Sequence, residues 1–288
     1  MVEVVCCGRF TADDAVLYHA GEGWPPFHVL GPSHPVVHDG SPYSIHDRFE
    51  CWDRVDLEQL AAVGDRVRFL TVWTPELGAE SLPPLTGLTI LEHDAFADGL
   101  PAYSRFPKLS HLRLRLAAAD AFQVVDSGDP LRSLESLTIS NLPARDWGHA
   151  ALAAIAPAVT RVELHAAGRL WLGAFGAGLR SITLSGDTID GPVELPPHLE
   201  RLNLRLRETT DRDVSALLEA EIDYLTLSGT TVTEAILAAA GRSARRQVDL
   251  FRTGLSPEAL ARFRTDHPAL DVLPWEAQYD ATMLSADG

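Results

Sequence analysis

Histidine and cysteine, residue types that bind zinc, are concentrated near the start of this 288-residue chain. His34, His38, His46 and Cys51 lie within 18 residues, and the interval from His34 to His38 is within the usual spacing of zinc ligands. No C-x2-C pair accompanies them, and the segment is rich in proline. We therefore predict that the protein binds no metal and no cofactor. The alternative hypothesis is an enzyme or metal-dependent protein whose site lies in residues 1–60, with the rest of the chain as a substrate platform.

Common catalytic signatures are missing from the sequence. H-E-x-x-H, C-x-x-C and G-x-S-x-G are absent, and the one lysine, Lys108, is not part of a P-loop. Cys51-Trp52-Asp53 resembles the C-x-D nucleophile motif of bacterial effector ubiquitin ligases, but those proteins carry it in a separate helical domain for which this chain has no room. We predict that the protein is not an enzyme and that Cys51 is a small buried residue.

The charge of the chain bears on its partners. The net charge is −16, of which residues 1–60 contribute −7 and residues 270–288 contribute −4. Such an acidic balance argues against nucleic-acid binding, which needs a basic surface, and favours attraction to basic partners. The longest apolar stretch of small residues, 149–159, is too short to span a bilayer, so we predict no membrane partner.

Cysteine usage and the start of the chain predict a cytoplasmic location. The three cysteines are an odd number, and the acidic Glu3 with no preceding base makes a poor secretory signal. A single lysine against 23 arginines is typical of a GC-rich genome, so we expect a bacterial source.

A repeat in the sequence predicts the strands that would position any site. The spaced apolar signature L-x-x-L-x-L occurs eight times with a period of 18 to 25 residues. Its copies begin at Val67, Leu85, Leu109, Leu134, Val159, Leu179, Leu199 and Ile222. A worn ninth copy keeps Val248 and Leu250. Repeats of this period indicate a solenoid, with one short strand per copy.

This pattern resembles the leucine-rich-repeat superfamily over residues 67–273. The segment Leu195-Pro196-Pro197-His198-Leu199-x-x-Leu202-x-Leu204 resembles the L-P-P repeat of bacterial effector proteins, whereas the asparagine that the family places after each strand is largely missing. The resemblance implies an α/β fold: a curved right-handed solenoid with a parallel β-sheet on its concave face and mixed short helices and loops on its convex face. It also implies a role in protein–protein recognition.

We predict three segments. Residues 1–65 form an irregular N-terminal cap because five prolines fall within 25–42, and 57–63 form a short helix within it. Residues 66–273 form the solenoid of eight to nine repeats, and 274–288 form a C-terminal cap with an acidic tail. Helices are expected over 146–155, after the capping-box residues Thr210 and Thr231, and after Ser256-Pro257, with a last strand at 270–273.

Alternation along each strand predicts which residues face solvent. The two residues that flank the middle apolar position, and the one after the last, should form three columns across the sheet. In the copy that begins at Leu85 these residues are Gly87, Thr89 and Leu91, and in the first copy Phe69 and Trp73 should be covered by the cap. The predicted partner-binding residues of the columns are His111, Arg113, Arg115, Arg161, Glu163, His165, Arg201, Asn203, Arg205, Tyr224 and Phe251.

Five arginines in these columns face two acids, Glu163 and Asp249. One interpretation is a mildly basic groove that docks an acidic segment or a phosphorylated surface, since guanidinium groups match carboxylates and phosphates. The other is that Arg161, Glu163 and their neighbours pair locally. We predict a non-enzymatic interaction scaffold that binds a protein partner on its concave face, with an inhibitor or immunity-type protein against a basic target as one form of it.

Overall fold

The protein is an α/β molecule in which parallel strands predominate and helices are few. A computed structural model describes residues 35–38, 41–44, 48–51, 61, 67, 69–72, 77–95, 99–117, 122, 124, 129–191, 193–208, 211–229 and 232–273. The chain divides into two compact units, residues 1–140 with 154–158 and residues 141–153 with 159–288. No helix in the described ranges is long and apolar enough to cross a membrane.

The first unit contains a hairpin and a parallel sheet. Strands β1 (Pro35–His38) and β2 (Ser41–Ser44) pair antiparallel. The parallel strands follow one another in chain order as β3 (Arg48–Cys51), β4 (Phe69–Val72), β5 (Ile90–Ala95), β6 (His111–Leu116) and β7 (Ser136–Leu142). Short 3₁₀ turns lie at Ala79–Ser81 and Leu100–Arg105. Regular strands thus begin before residue 66, within the segment for which the sequence predicts an irregular cap.

The second unit contains a longer parallel sheet. Its strands are β8 (Arg161–Ala166), β10 (Ser181–Gly186), β12 (His198–Leu206), β13 (Glu221–Ser228), β14 (Ala244–Phe251) and β15 (Asp271–Leu273). A separate pair of two-residue strands, β9 (Leu170–Trp171) and β11 (Ile189–Asp190), is also parallel. The last strand confirms the one predicted at 270–273, whereas residues 274–288, with the predicted cap and acidic tail, lie outside the described residues.

Among the described residues, the α-helices with defined bounds lie beyond residue 150. They are α1 (Leu152–Ile155), which follows a 3₁₀ turn at His149–Ala151, α2 (Asp211–Leu217), α3 (Glu234–Ser243) and α4 (Pro257–Asp266). The Ser256 hydroxyl caps α4 by accepting from the Ala259 N–H at 3.2 Å. For α3 the cap is Thr233 and not Thr231, because only a side chain next to the first helical residue reaches the free N–H groups.

The core is built by the alternation that the apolar signature predicts. In β12, Leu202 and Leu204 are fully buried, while Arg201 and Arg205 beside them are exposed. In seven of the eight copies the second and third apolar residues lie in a parallel strand and are buried in the same way. Every second side chain of such a strand is buried. This burial of apolar surface stabilises the strand against the residues on which it packs.

The copy that begins at Leu85 is the exception. In β5 the inward residues are Leu91, His93 and Ala95, so the prediction that Gly87, Thr89 and Leu91 form part of the outward columns is wrong. The inward residues of β5 lie three positions later in the chain than the apolar signature predicts. The signature missed them because His93 occupies a position where an apolar residue is expected. Its ring is satisfied in the core: Nε2 donates to the Leu77 carbonyl, and Nδ1 accepts from the Tyr103 hydroxyl, both at 2.8 Å.

Candidate partner-binding face

On the outward side of the first unit, the arginines are neutralised by acids of the neighbouring strand. Arg113 Nη1 lies 2.8 Å from Glu92 Oε1, and Arg115 Nη2 lies 3.2 Å from Asp94 Oδ2. Partial burial raises the pKa of Asp94, and the Arg115 guanidinium opposes that rise. This side therefore carries two cations and two anions in register, and their formal charges balance.

His111 lies on the same strand as these arginines. It is half-buried, and its Nδ1 lies 2.9 Å from the hydroxyl of its neighbour Ser110. With its ring engaged locally and the two arginines paired, the outward side of β5 and β6 offers little free positive charge to a partner.

In the second unit the predicted columns are observed in the strand register. Arg161, Ser181 and Arg201 are direct partners on β8, β10 and β12, and so are His165, Ser185 and Arg205. The row between them joins Glu163, Thr183 and Asn203. We call these nine residues the β8–β12 face. Each is exposed or half-buried, in contrast to the leucines, isoleucine and valine that alternate with them.

Within the described residues, the arginines of the β8–β12 face have no acidic partner. None of Arg161, Arg201 and Arg205 forms a salt bridge with any residue that the structure describes. Other arginines of the same unit do so, and they lie near strand ends: Arg169 to Asp190 at 2.9 Å, Arg180 to Glu200 at 3.1 Å and Arg207 to Asp187 at 3.3 Å. With Glu163 as its one acid, the face has a local charge of +2 in a protein of −16.

Inside the face, the acid and the histidine of β8 are neighbours. His165 Nε2 lies 3.9 Å from Glu163 Oε2, so the carboxylate is directed along its own strand. On β12, the Asn203 Oδ1 atom is buried and has no hydrogen-bond partner within the described ranges. The middle row therefore combines a carboxylate with neutral polar groups, and the outer rows hold the positive charge.

An aromatic residue borders this face on the next strand. Tyr224 of β13 is the partner of Arg201 in the register and is 36% exposed, and the Arg201 guanidinium lies 5.7 Å from its ring centroid. The neighbouring Tyr224 side chain raises the pKa of Arg246, and Asp223, 3.7 Å from the Arg246 guanidinium, acts in the same direction. Tyrosine and arginine are the residue types that most often contribute large binding energies at interfaces.

Phe251, at the end of β14, is half-buried beneath Arg252, whose guanidinium lies 5.0 Å from the ring centroid. It lies two strands from β12, on a part of the sheet where the outward acids Asp249 and Asp271 reverse the charge. The side chains of Phe69 and Trp73, which the sequence predicts to be covered, lie outside the described residues.

Two acids, Glu92 and Asp94, are missing from the sequence prediction although they balance the charge of the arginines on the outward side of β5 and β6. The sequence carried a signal for them: a copy that begins at Leu88 would lie 21 residues after Val67 and 21 before Leu109, which is more regular than the intervals of 18 and 24 that Leu85 gives.

The zinc-ligand candidates His34, His38, His46 and Cys51 have no described side chains. Within the described ranges, no group of three or more His, Cys, Asp or Glu side chains is arranged to hold a metal ion.

Compared with known proteins, the chain matches no protein-family model and no curated sequence. The functional conclusion is therefore drawn from the geometry and charge of the second unit.

Proposed function

We propose that the protein is a non-enzymatic, cytoplasmic interaction module of the leucine-rich-repeat type, whose β8–β12 face binds an acidic segment of a protein partner. The observation that carries this proposal is a contrast among the described residues: the three arginines of the face form no salt bridge there, whereas the arginines near the strand ends do. An unpaired guanidinium keeps its donors available, and its planar fork fits a carboxylate.

The geometry of the sheet supports the same conclusion. The rows are carried by neighbouring strands in continuous register, so the positions of the arginines are fixed by backbone hydrogen bonds and not by loops. The outward residues of the strand between them are Ser181, Thr183 and Ser185, whose short side chains do not themselves fill the space above β10. Tyr224 adds an exposed aromatic surface at the border.

Selection from a random peptide library tests the proposal directly. We expect peptides selected on the wild-type protein to be enriched in aspartate and glutamate. The variant Arg161→Ser, Arg201→Ser, Arg205→Ser should lose this enrichment. The matched control replaces Arg169, Arg180 and Arg207 with serine in the same unit, which removes the same charge from residues that are already paired, and it should select the same peptides as the wild type.

Thermal unfolding of both triple variants shows whether they remain folded, as exposed substitutions usually change stability by less than about 0.5 kcal/mol. Enrichment of lysine- and arginine-rich peptides on the wild type would instead favour an inhibitor or immunity-type protein that uses the acidic remainder of the surface. Equal loss of acidic peptides in both triple variants would show that overall charge, and not the face, selects them.

A further inference from the structure

The β8–β12 face has a more specific pattern than positive charge alone. Its basic side chains occupy four corners: Arg161 and Arg201 at one end of the strands, and Arg205 with the imidazole of His165 at the other. The two corners at each end are two strands apart, which is about 10 Å, and the two ends are four residues apart, which is about 13 Å. The long side chains at each end can converge above the hydroxyl of Ser181 or Ser185 that lies between them.

The middle row has the opposite preference. Its partners are Glu163, Thr183 and Asn203, so the row contains a carboxylate and two neutral groups. An anionic side chain placed above Thr183 would lie close to Glu163, which is 38% exposed and therefore able to repel it. The face thus favours an anion at each end and disfavours one in between.

We infer that the β8–β12 face binds an extended peptide segment that lies along β10 and carries carboxylates at positions i and i+4, with an uncharged residue at i+2. This inference rests on the proposed function and specifies its partner. In an extended chain, residues i, i+2 and i+4 face the same side, and i and i+4 are about 13 Å apart, which matches the separation of the two cationic rows.

Other ligands fit the face less well. A helix rises about 1.5 Å per residue, so residues i and i+4 of a helix span only about 6 Å, and a helical partner would need acids at i and i+8 or i+9. The face has a charge of +2, which two carboxylates balance, whereas two phosphate groups would bring about twice that negative charge. Carboxylates from aspartate or glutamate are therefore the partner chemistry that the charges favour.

Labelled synthetic peptides test the spacing. Each contains serine and threonine as background, with glutamate at positions 3 and 7 in the reference peptide, at 3 and 6 or at 3 and 11 in the spacing variants, and at 3, 5 and 7 in the triple-acid variant. Fluorescence anisotropy at low ionic strength measures the dissociation constant for the full-length protein. We expect the reference peptide to bind about fivefold more tightly than either spacing variant, because one exposed ion pair is lost in each.

The triple-acid peptide provides an internal control. On the wild-type protein it should bind no more tightly than the reference peptide, despite its extra charge. On the Glu163→Gln variant, which keeps the size of the side chain, it should gain about threefold relative to the reference peptide. An equal change for both peptides would overturn the role of the middle row.

The failure of the spacing inference is distinguishable from the failure of the proposed function. If every two-acid peptide binds equally and all are lost in the variant with serine at Arg161, Arg201 and Arg205, the spacing is wrong and the proposed function stands. Preference for positions 3 and 11 would indicate a helical partner, and preference for phosphoserine or a single-stranded RNA oligonucleotide would indicate phosphate; both contradict the inference. If no acidic peptide distinguishes wild type from the triple variant, the proposed function fails as well.

Discussion

Replacing His149 should reduce the loss of stability that the protein suffers on acidification. The side chain is 1% exposed, and its ring lies edge-on against Trp147 and Phe175, with centroid distances of 5.0 and 4.4 Å. Neither ring nitrogen has a hydrogen-bond partner in the described part of the chain. Burial lowers the pKa of His149 to about 4, although the Asp146 carboxylate acts in the opposite direction.

The sign and size of the effect follow from this pKa. Because the pKa is lower in the folded than in the unfolded chain, the unfolded chain takes up the proton first as the pH falls. Stability that is present above the unfolded value of 6.5 is therefore lost as the pH falls toward 4. The full difference corresponds to about 3 kcal/mol, of which about 2 kcal/mol is lost between neutral pH and pH 5.

Urea unfolding of the wild type and of His149→Phe at pH 7.5 and pH 5 measures this term. Phenylalanine keeps the aromatic contacts, and any packing cost that it brings is the same at both pH values and cancels in the difference. We expect the variant to lose about 2 kcal/mol less than the wild type on acidification. The control is His198→Gln, because His198 is 52% exposed. An equal acid-induced loss for His149→Phe and wild type, or a His149 resonance that titrates near pH 6.5, would refute the reasoning.

Three further substitutions, two of them with a matched control substitution, test the fold. Leu202→Ala should lower the free energy of unfolding by about 2–5 kcal/mol in urea titrations because it removes a fully buried side chain, whereas Ser185→Ala on the outward side should change it by less than about 0.5 kcal/mol. Thr233→Ala should cost about 1 kcal/mol by the same measurement, since it removes the cap of α3. Gly191→Ala should cost about 2 kcal/mol or more in thermal unfolding, because its φ is +96° and the added carbon would overlap a backbone carbonyl; at Gly254, where φ is +70° and the space is open, alanine should cost about 1 kcal/mol.

The positions of most strands could be predicted from the sequence because strand burial has a period of two residues. A pair such as Leu202 and Leu204, preceded by Leu199, constrains both the inward side and the register. The same alternation predicts that Arg201 and Arg205 lie on the outward side. The second-unit face was therefore predictable from single residues.

The two-residue alternation of apolar residues did not predict the ion pairs on the outward side of β5 and β6. Leu85, Leu88 and Ile90 match the apolar pattern, whereas the inward residues include His93, which is buried only because Tyr103 and the Leu77 carbonyl satisfy its ring. A pattern of apolar residues cannot identify a polar residue whose partners come from another part of the chain. Equal spacing of the copies was the better guide to the register.

The segments that connect one main strand to the next show a second limit of prediction from the sequence. The glycine-rich stretch 166–178 holds the two-residue strand β9. Its pairing with β11 leaves no periodic signal because each strand is so short. Only the structure shows how closely the backbone at Gly168 approaches Gly186. A carbon added to Gly186 would lie 2.8 Å from the Gly168 carbonyl oxygen.

Reversal of charge on the β8–β12 face tests the central claim most directly. In the variant Arg161→Glu, Arg201→Glu, Arg205→Glu, we expect the peptide with glutamate at positions 3 and 7 to lose its binding, and the matching peptide with lysine at both positions to bind in its place. The wild type should bind the glutamate peptide more tightly than the lysine peptide. If the wild type and the charge-reversed variant bind the glutamate peptide with the same dissociation constant, these arginines do not form the partner-binding site.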